Sequence, residues 1–290
     1  MRYVVVIPAR NEEQHIGRLL EALARQSLLP QQALVVDDGS TDRTAEVVSA
    51  FAKRYPWLRL YRRPAKGQRA IGAKVVRAFT EGYAQINTPH DFLVKLDADL
   101  ELPPEYFERL AQHFAQNPRL GIAGGTIAVE KNGKWVYENF SDTDHVKGAF
   151  KAYRRECFEQ IGGLRPSIGW DTADELLARY HGWEVLVDTS LQVRHHRPLG
   201  TETGSLRTRL LIGNGMYRLR YGFFITLISA LKAGYLTRPY GLTGLAVMLG
   251  WLQALLRQDD FIVTPEEGRF IRQWRRKRMW GKVWGLPIPS

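Results

Sequence analysis

Two aspartates separated by one residue follow an apolar run and form the sharpest chemical feature of the sequence. Asp97 and Asp99 flank Ala98 at the predicted end of a strand, where both carboxylates can face one point. Like charges at this spacing repel unless a cation lies between them, and a hard divalent ion with oxygen ligands, Mg²⁺ or Mn²⁺, suits such a pair. The alternative is that Asp97 ends the strand and Asp99 is a solvated loop residue.

Two further polar clusters stand at predicted strand ends, over Pro8–Glu12 and over Asp37–Ser40. Each has a structural explanation, because Asn, Asp, Gly and Ser favour turns and helix N-caps. Asn11 is placed to cap the first helix. The chemical alternative is that a carboxylate of the second cluster accepts the imino N–H of a pyrimidine or guanine ring.

Strands and helices are predicted to alternate throughout the first 120 residues. Short β-branched runs such as Val4–Ile7 and Ala33–Val36 are followed by apolar residues at helical spacing, as in Ile16–Leu23. This repeat predicts an α/β fold with a Rossmann-like, mostly parallel mixed sheet and helices on both faces. Ligands of such sheets bind beyond the carboxyl ends of the strands, so we expect the three polar clusters to converge on one crevice.

The pattern loosens after residue 120. Strands are predicted over residues 122–129, 135–137 and 149–153, a helix over Asp171–Tyr180, and two short strands over residues 184–187 and 191–195. The last ninety residues are predicted to be helical. We therefore divide the chain into an α/β domain, residues 1–200, and a helical basic region, residues 201–290.

Composition narrows the class of protein. The 290 residues are 44% hydrophobic and 24% charged, which is typical of a globular protein. A single cysteine, Cys157, excludes a disulfide scaffold and a cysteine-rich zinc site. Neither of the glycine-rich phosphate-binding motifs, G-x-G-x-x-G and G-x-x-x-x-G-K-[ST], occurs. The N-terminal apolar run is too short for a signal peptide, so the cytosol is the expected compartment.

Most of the net charge of +11 lies in residues 201–290, which hold 14 Lys and Arg against 5 Asp and Glu. Basic residues alternate with tryptophan over Arg272–Trp280 and suit an anionic headgroup surface. The uncharged run Tyr240–Leu256 is 17 residues long and suits partial insertion into a membrane interface. The alternatives are packed core helices and a nucleic-acid surface, although the rest of the chain has no nucleic-acid motif. An anionic membrane surface is therefore the expected partner.

The polar clusters have a characteristic order and spacing when they are taken together. VVIPARNEE, VVDDGSTDRT, a Lys-Gly pair and LDAD resemble family-2 glycosyltransferases of the GT-A fold, of the bacterial envelope or exopolysaccharide type. The resemblance covers residues 1–200 and includes Gly148–Arg154, Ile161–Gly163 and the acidic stretch after Trp170. It implies transfer of a sugar from a nucleoside diphosphate sugar, with UDP favoured over GDP, to a lipid-linked or polysaccharide acceptor.

The same resemblance implies a set of site residues. Asp97 and Asp99 match the D-x-D pair that binds Mg²⁺ or Mn²⁺, and His195 or His196 would complete the metal shell or meet the diphosphate. Trp170 would either stack on a sugar face or pack in the core. The nucleotide sugar would be held by Pro8, Ala9, Arg10, Glu12, Asp37, Asp38, Lys66, Gly67, Arg69, Asp97 and Ala98.

Inverting transfer also needs a carboxylate general base, which removes the proton of the acceptor hydroxyl. The family's usual Glu-Asp pair opens a helix that ends in a glycine, here Gly182, and this register selects Asp171. Trp170 replaces the Glu of the pair, and Asp174 and Glu175 form a second acidic pair one turn further on. We rank Asp171 first, Asp174 second and Glu175 third, with a helix N-cap as the structural alternative for Asp171.

Two other functions compete with this interpretation. A nucleotidyltransferase of the same fold would need a glycine-rich basic first loop, which Pro8–Glu12 does not supply. A catalytically degenerate GT-A-like membrane adaptor would not need Asp97, Asp99 and Asp171, all of which are present. The expected location is cytoplasmic, with peripheral or monotopic attachment to the cytoplasmic membrane.

Overall fold

The computed structural model describes residues 1–63, 73–131, 134–137, 145–196 and 206–284. The predicted alternation of strands and helices in the first 120 residues is confirmed. The elements there are β1 (Tyr3–Ala9), α1 (Ile16–Ala24), β2 (Gln32–Asp37), α2 (Thr44–Arg54), β3 (Leu58–Arg62), α3 (Ala73–Tyr83), β4 (Phe92–Leu96), β5 (Leu100–Glu101) and α4 (Tyr106–Gln116).

The second half of the chain adds further strands and then a run of helices. Within the described residues, no helix is both long enough and apolar enough to cross a bilayer. The elements are β6 (Leu120–Lys131), β7 (Lys134–Tyr137), β8 (Phe150–Arg154), α5 (Arg155–Gln160), α6 (Trp170–Tyr180), β9 (Glu184–His195), α7 (Leu206–Arg218), α8 (Phe223–Leu236), α9 (Leu242–Arg257) and α10 (Pro265–Trp284).

The strands form one mixed sheet in the order β3-β2-β1-β4-β8-β6-β9-β5, and β7 pairs with β6. Strands β1 to β4 run parallel to one another, so their carboxyl ends lie along the same edge. Strand β8 is antiparallel to β4, whereas β6 and β9 pair in parallel with each other. The mostly parallel, mixed α/β architecture expected from the sequence is therefore present.

The start of α1 differs from the prediction. The helix begins at Ile16, and no side chain caps it, so the prediction that Asn11 caps this helix is wrong. Asn11 has a φ of 55°, a left-handed conformation that Asn tolerates better than most residues. Its side chain braces a loop instead, as described below. The predicted apolar face of α1 is correct, because Ile16, Leu19 and Leu23 are fully buried.

Strand β9 is continuous where the sequence predicts two short strands. Gly124 of β6 pairs with Val187, and Thr126 pairs with Gln192, so the intervening residues of β9 bulge out of the ladder. The bulge contains Asp188, whose carboxylate accepts hydrogen bonds from the backbone and hydroxyl of Ser190. The predicted break therefore corresponds to this bulge.

The chain divides into two compact units. The first unit comprises Met1–Pro166 and His181–Pro198, and the second comprises Ser167–Tyr180 and Leu199–Ser290. The helix α6 is thus grouped with the C-terminal helices, whereas the sequence analysis assigns it to residues 1–200.

Candidate active site

The polar clusters that follow β1, β2 and β4 meet at the carboxyl edge of the sheet, within the first unit. They contribute to one cavity with a volume of about 270 Å³, and α3 supplies another part of its wall. This is the place where open α/β sheets bind ligands. The lining residues are Pro8, Ala9, Arg10, Glu12, Asp38, Lys74, Val75, Ala78, Asp97, Ala98 and Asp99.

Hydrogen bonds join the loop after β1 to the loop after β2. The Asn11 side-chain carbonyl accepts a hydrogen bond from the backbone N–H of Thr41 at 2.8 Å. The backbone N–H groups of Asn11 and Glu12 donate to the hydroxyls of Ser40 and Thr44, at 3.0 and 2.8 Å. These bonds fix the backbone that carries the first polar cluster.

The two aspartates after β2 have different surroundings. Asp37 is buried, and its Oδ1 accepts a hydrogen bond from the backbone N–H of Ser40 at 2.9 Å, which holds the turn. Asp38 lines the cavity, and its Oδ1 accepts a hydrogen bond from Arg63 Nη1 at 2.7 Å. Of the two carboxylates predicted to bind a nucleotide, Asp38 is therefore the one that faces the cavity.

Arg63 links Asp38 to α3. Its guanidinium donates to both carboxylate oxygens of Glu81, at 2.5 and 2.7 Å. The hydrogen bonds with Glu81 and Asp38 raise the pKa of Arg63 above its ordinary value although burial opposes this, so the side chain stays cationic. A buried cation with two carboxylate partners holds Asp38 in a fixed orientation.

Asp97 has a cationic neighbour from its own strand. The Lys95 ammonium, which is almost completely buried, contacts Asp97 Oδ1. Removal from bulk water raises the pKa of the Asp97 carboxyl above its ordinary value, Lys95 opposes that shift, and Asp99 adds to it. Lys95 therefore offsets part of the repulsion between Asp97 and Asp99.

Asp99 is paired with a histidine from the far end of β9. His195 Nε2 lies 3.1 Å from Asp99 Oδ2, and both side chains are about nine-tenths buried. The antiparallel pairing of β5 with β9 brings them together, because Leu100 is opposite His195. The other ring nitrogen, Nδ1, is buried without a hydrogen-bond partner among the described residues.

His196 takes a different direction from His195. Its Nε2 lies 3.0 Å from Glu101 Oε2, and its ring meets the Trp135 ring edge to face. Successive residues at a strand end point to opposite sides, which explains the separation. The structure thus brings His195 to the aspartate pair and places His196 against Glu101.

The chemistry of this donor set fits Mg²⁺ or Mn²⁺. Asp97 and Asp99 offer hard carboxylate oxygens, and His195 offers its Nε2, the ring nitrogen that lies 3.1 Å from Asp99 Oδ2. Within the described part of the chain, no three Asp, Glu, His or Cys residues form a group that could hold an ion by themselves. Other ligands are needed, as in sites that bind Mg²⁺ through one or two carboxylates together with substrate phosphates.

The three candidate bases lie on α6, in the second unit. Asp174 and Glu175 are buried, whereas Asp171, in the first turn, is partly exposed. Asp174 Oδ1 accepts a hydrogen bond from the backbone N–H of Glu175 at 2.6 Å, and Glu175 Oε2 lies 3.6 Å from Arg179 Nη1. Trp170 is buried, which favours packing in the core over stacking on a sugar.

Several residues around the cavity were not identified from the sequence. Arg63 had a usable signal, because it directly follows β3, a strand whose carboxyl end lies on the same edge. Lys95 is a charged residue inside an apolar strand, which is also a signal. No comparable sequence feature indicates a role at the cavity for Lys74, Val75 and Ala78. The predicted nucleotide-binding residues Lys66, Gly67 and Arg69 lie outside the described residues.

Comparison with known proteins places the matching region over the α/β unit. The model of the family described as Glycosyl transferase family 2 matches residues 4–163. Succinoglycan biosynthesis protein ExoA of Rhizobium meliloti is 29% identical over 201 residues, which are 60% of this chain and 56% of that protein. An undecaprenyl-phosphate 4-deoxy-4-formamido-L-arabinose transferase of Pseudomonas aeruginosa is 33% identical over 182 residues, 56% of this chain and 49% of that protein. The chain thus spans about half the length of these relatives.

A solved structure extends the likeness to almost the whole chain. The mannosyltransferase PcManGT from Pyrobaculum calidifontis, in complex with GDP-Man and Mn²⁺, matches with a TM-score of 0.57 and 16% identity. The match covers 99% of this chain and 88% of that chain. At this identity the likeness concerns the fold alone, and it confirms the predicted GT-A architecture.

Proposed function

The chain belongs to glycosyl transferase family 2, and from this premise we propose that it transfers a sugar from a nucleoside diphosphate sugar to a lipid-linked or polysaccharide acceptor. In this proposal the transfer is metal-dependent and inverting, and UDP is preferred to GDP. The observation that supports it most strongly is the cavity at the carboxyl edge of the sheet. Asp38, Asp97 and Asp99 line this cavity, and His195 contacts Asp99.

The donor would occupy this cavity. Asp38, oriented by Arg63, would accept the imino N–H of the base, and Arg10 and Lys74 would offer positive charge to the diphosphate. Asp37 would contribute through the turn that it holds. The proposed donor-binding residues are Pro8, Ala9, Arg10, Glu12, Asp37, Asp38, Lys66, Gly67, Arg69, Asp97 and Ala98.

Asp97, Asp99 and His195 would each supply a ligand to Mg²⁺ or Mn²⁺, and the diphosphate of the donor would have to supply others. When bound, the ion stabilises the negative charge that develops on the leaving diphosphate. The contact of 3.1 Å between His195 Nε2 and Asp99 Oδ2 supports this set, because it brings the two side chains together. His196, which is held by Glu101, would support the end of β9 and would not be a ligand.

Asp171 would act as the general base. As the acceptor oxygen bonds to the anomeric carbon, the bond from that carbon to the diphosphate oxygen breaks on the opposite face. The proton of the acceptor hydroxyl moves to the Asp171 carboxylate, and the configuration of the sugar carbon is inverted. Asp174 and Glu175 rank lower because both are buried, whereas Asp171 is partly exposed.

The donor and acceptor are chosen from chemistry and from the relatives' names. UDP is the commoner donor nucleotide of such enzymes, and GDP is its main competitor because the mannosyltransferase was solved with GDP-Man. A lipid-linked acceptor follows the undecaprenyl-phosphate transferase, and a polysaccharide acceptor follows the succinoglycan protein. With such acceptors the enzyme would act at the cytoplasmic face of the membrane, attached peripherally or monotopically to its anionic surface.

The test is turnover of a panel of UDP- and GDP-sugars with Mn²⁺, with Mg²⁺ and with excess chelator. We expect cleavage of one donor, loss of activity with chelator and recovery with the ion. Asp99→Asn should lower turnover by at least about 10³-fold, because it removes a charged metal ligand. Asp91→Asn is the matched control, since Asp91 stands at the opposite end of β4 and pairs with Arg2.

Three results would contradict the proposal. Full activity in excess chelator would exclude the metal. Release of pyrophosphate from a nucleoside triphosphate and a sugar phosphate would identify a nucleotidyltransferase instead. A folded protein that neither binds nor cleaves any donor would be the degenerate adaptor.

A further inference from the structure

Helix α9 turns most of its small residues inward and its leucines outward. Its buried side includes Thr243, Gly244, Ala246, Gly250 and Ala254, together with Val247 and Trp251. A helix that packs on a protein core in water has the reverse arrangement, with its large apolar residues buried. Six of its leucines are exposed. Leu255 is one of them, and the other five follow one another at spacings of three and four residues, which places them on one side: Leu242, Leu245, Leu249, Leu252 and Leu256.

Helix α8 presents a second stripe of the same kind, formed by Phe224, Ile228, Leu231 and Tyr235. The two helices pack closely, because a Cβ on Gly244 would lie 2.4 Å from the carbonyl oxygen of Ala230. Small residues at the contact and large apolar residues on the outside are typical of helices that face lipid. The two stripes together are called the apolar face below.

The apolar face is too exposed to be an ordinary part of a water-facing surface. Leu256 is 83% exposed, Phe224 is 71% exposed and Leu231 is 65% exposed. Exposed large apolar side chains grouped on two packed helices indicate an interaction site in soluble proteins. The helices have 14 and 16 residues, so each is about 21–24 Å long and shorter than the ~30 Å hydrocarbon core. A surface of this shape suits helices that lie in the plane of the membrane interface.

The positive charge near the apolar face indicates the kind of partner that fits it. No Asp or Glu occurs between residues 203 and 258, whereas seven Lys and Arg do. Three basic side chains are exposed on α8, on α9 and in the turn between them: Lys232, Arg257 and Arg238. A second copy of the chain would bring like charges together, whereas anionic headgroups would complement them.

We propose that the apolar face of α8 and α9 is embedded in the interfacial layer of an anionic lipid leaflet, with the flanking basic side chains among the headgroups. The inference rests on the proposed function in one respect, since it gives a reason for a lipid-facing surface in an enzyme with a lipid-linked acceptor. It assigns the main contact to α8 and α9, not to the basic segment of α10.

The structure of α10 agrees with this assignment. Trp274 is buried, and Arg275 donates a hydrogen bond to the Tyr221 hydroxyl at 2.7 Å. Arg272 donates to the backbone carbonyl of Arg220 at 2.8 Å. Part of the basic segment therefore binds within the protein, and its exposed residues can add attraction without being the anchor.

The test is flotation of the full chain with vesicles of phosphatidylglycerol and phosphatidylcholine, compared with phosphatidylcholine alone. We expect binding to the anionic vesicles that persists in high salt, because burial of apolar side chains is not screened by ions. Replacing three exposed leucines together (Leu245→Gln, Leu249→Gln and Leu252→Gln) should lower the vesicle partition coefficient by at least about 100-fold. The same variant should cleave the donor at the wild-type rate.

The matched control replaces exposed apolar residues of the first unit, Leu29→Gln with Val136→Gln, and should leave vesicle binding unchanged. A fluorescent probe gives a second readout. The chain has one cysteine, which is buried, so a polarity-sensitive label on Leu249→Cys in a Cys157→Ser background reports that position. We expect a blue shift on addition of anionic vesicles, and no shift for the label on Leu29→Cys.

The possible failures are distinguishable. Binding that salt abolishes and the three leucine substitutions do not change would assign attachment to α10 and overturn the inference. A dimer in solution that these substitutions dissociate, without any vesicle binding, would identify a second copy as the partner. Donor cleavage by a protein that never binds vesicles would refute the membrane inference and leave the proposed function standing. Vesicle binding without cleavage of any donor would refute the proposed function and leave the membrane inference standing.

Discussion

The two compact units of the chain differ in how many of their large apolar side chains are exposed. Twenty large apolar side chains are exposed among the described residues, and only Met1, Leu29 and Val136 belong to the first unit. The first unit packs its large apolar residues between the sheet and the flanking helices. The second unit leaves leucine and aromatic side chains of α8 and α9 outside. Among the described residues, exposed large apolar side chains are thus concentrated in the second unit, where the proposed lipid contact lies.

The contrast extends to the way in which helices approach one another. In the second unit, a Cβ on Gly250 would lie 1.9 Å from the backbone oxygen of Leu210, and a Cβ on Gly213 would lie 1.9 Å from that of Val247. Helices α7 and α9 therefore pack backbone against backbone. In the first unit, a Cβ on Gly17 of α1 would meet nothing closer than Val47 at 3.8 Å. Glycine thus brings two helices together in the second unit, whereas the tightest glycine contacts of the first unit, at Gly82, Gly121, Gly124 and Gly125, involve strands of the sheet.

The largest effect that bears on this comparison concerns Asp171, the proposed catalytic group that the second unit carries. Asp171→Asn preserves the shape of the side chain and removes the proton acceptor, so kcat should fall by at least about 10²-fold with little change in donor affinity. Steady-state kinetics and donor binding by calorimetry check both parts. If Asp174→Asn is inactive and Asp171→Asn is active, the base has been placed one helical turn too early.

A smaller effect concerns the glycines. Gly250→Ala should lower the free energy of unfolding by about 1–3 kcal/mol, because the added methyl group overlaps the backbone of α7. Gly17→Ala is the matched control and should raise it by about 0.4–1 kcal/mol, because there is room and alanine favours a helix. Urea unfolding of both variants measures the difference. Equal changes in the free energy of unfolding for the two substitutions would contradict the proposed difference in helix packing.

The alternation of strands and helices and the placement of polar clusters at strand ends could be predicted, because both follow from periodicity and from the direction of parallel strands. The pairing of Asp99 with His195 could be predicted only in part. The sequence offers His195 and His196 equally, and the choice between them depends on the pairing of β5 with β9. Likewise, the role of Arg63 depends on Glu81, a partner on another element.

The environment of the helices in the second unit is less predictable from sequence than the fold of the first unit, for a physical reason. Leucines spaced by three and four residues in α9 indicate an amphipathic helix, but the spacing does not tell which environment the leucine side faces. That information lies in the close contacts of Gly244 and Gly250 with α8 and α7 and in the burial of the alanines, which appear only in three dimensions. The grouping of α6 with the C-terminal helices is also a property of tertiary contacts and leaves no local pattern.

The central claim is that Asp99 and His195, at the carboxyl edge of the sheet, bind the ion that accompanies a nucleoside diphosphate. The most direct measurement is Mn²⁺ binding in the presence of UDP, followed by electron paramagnetic resonance of the free ion, for wild type and three variants. Asp99→Asn and His195→Gln should each weaken Mn²⁺ binding by at least about tenfold, the usual size of such an effect at a metal site. His196→Gln should leave it unchanged, because His196 contacts Glu101. Unchanged Mn²⁺ binding in Asp99→Asn, or equal losses in His195→Gln and His196→Gln, would contradict the account.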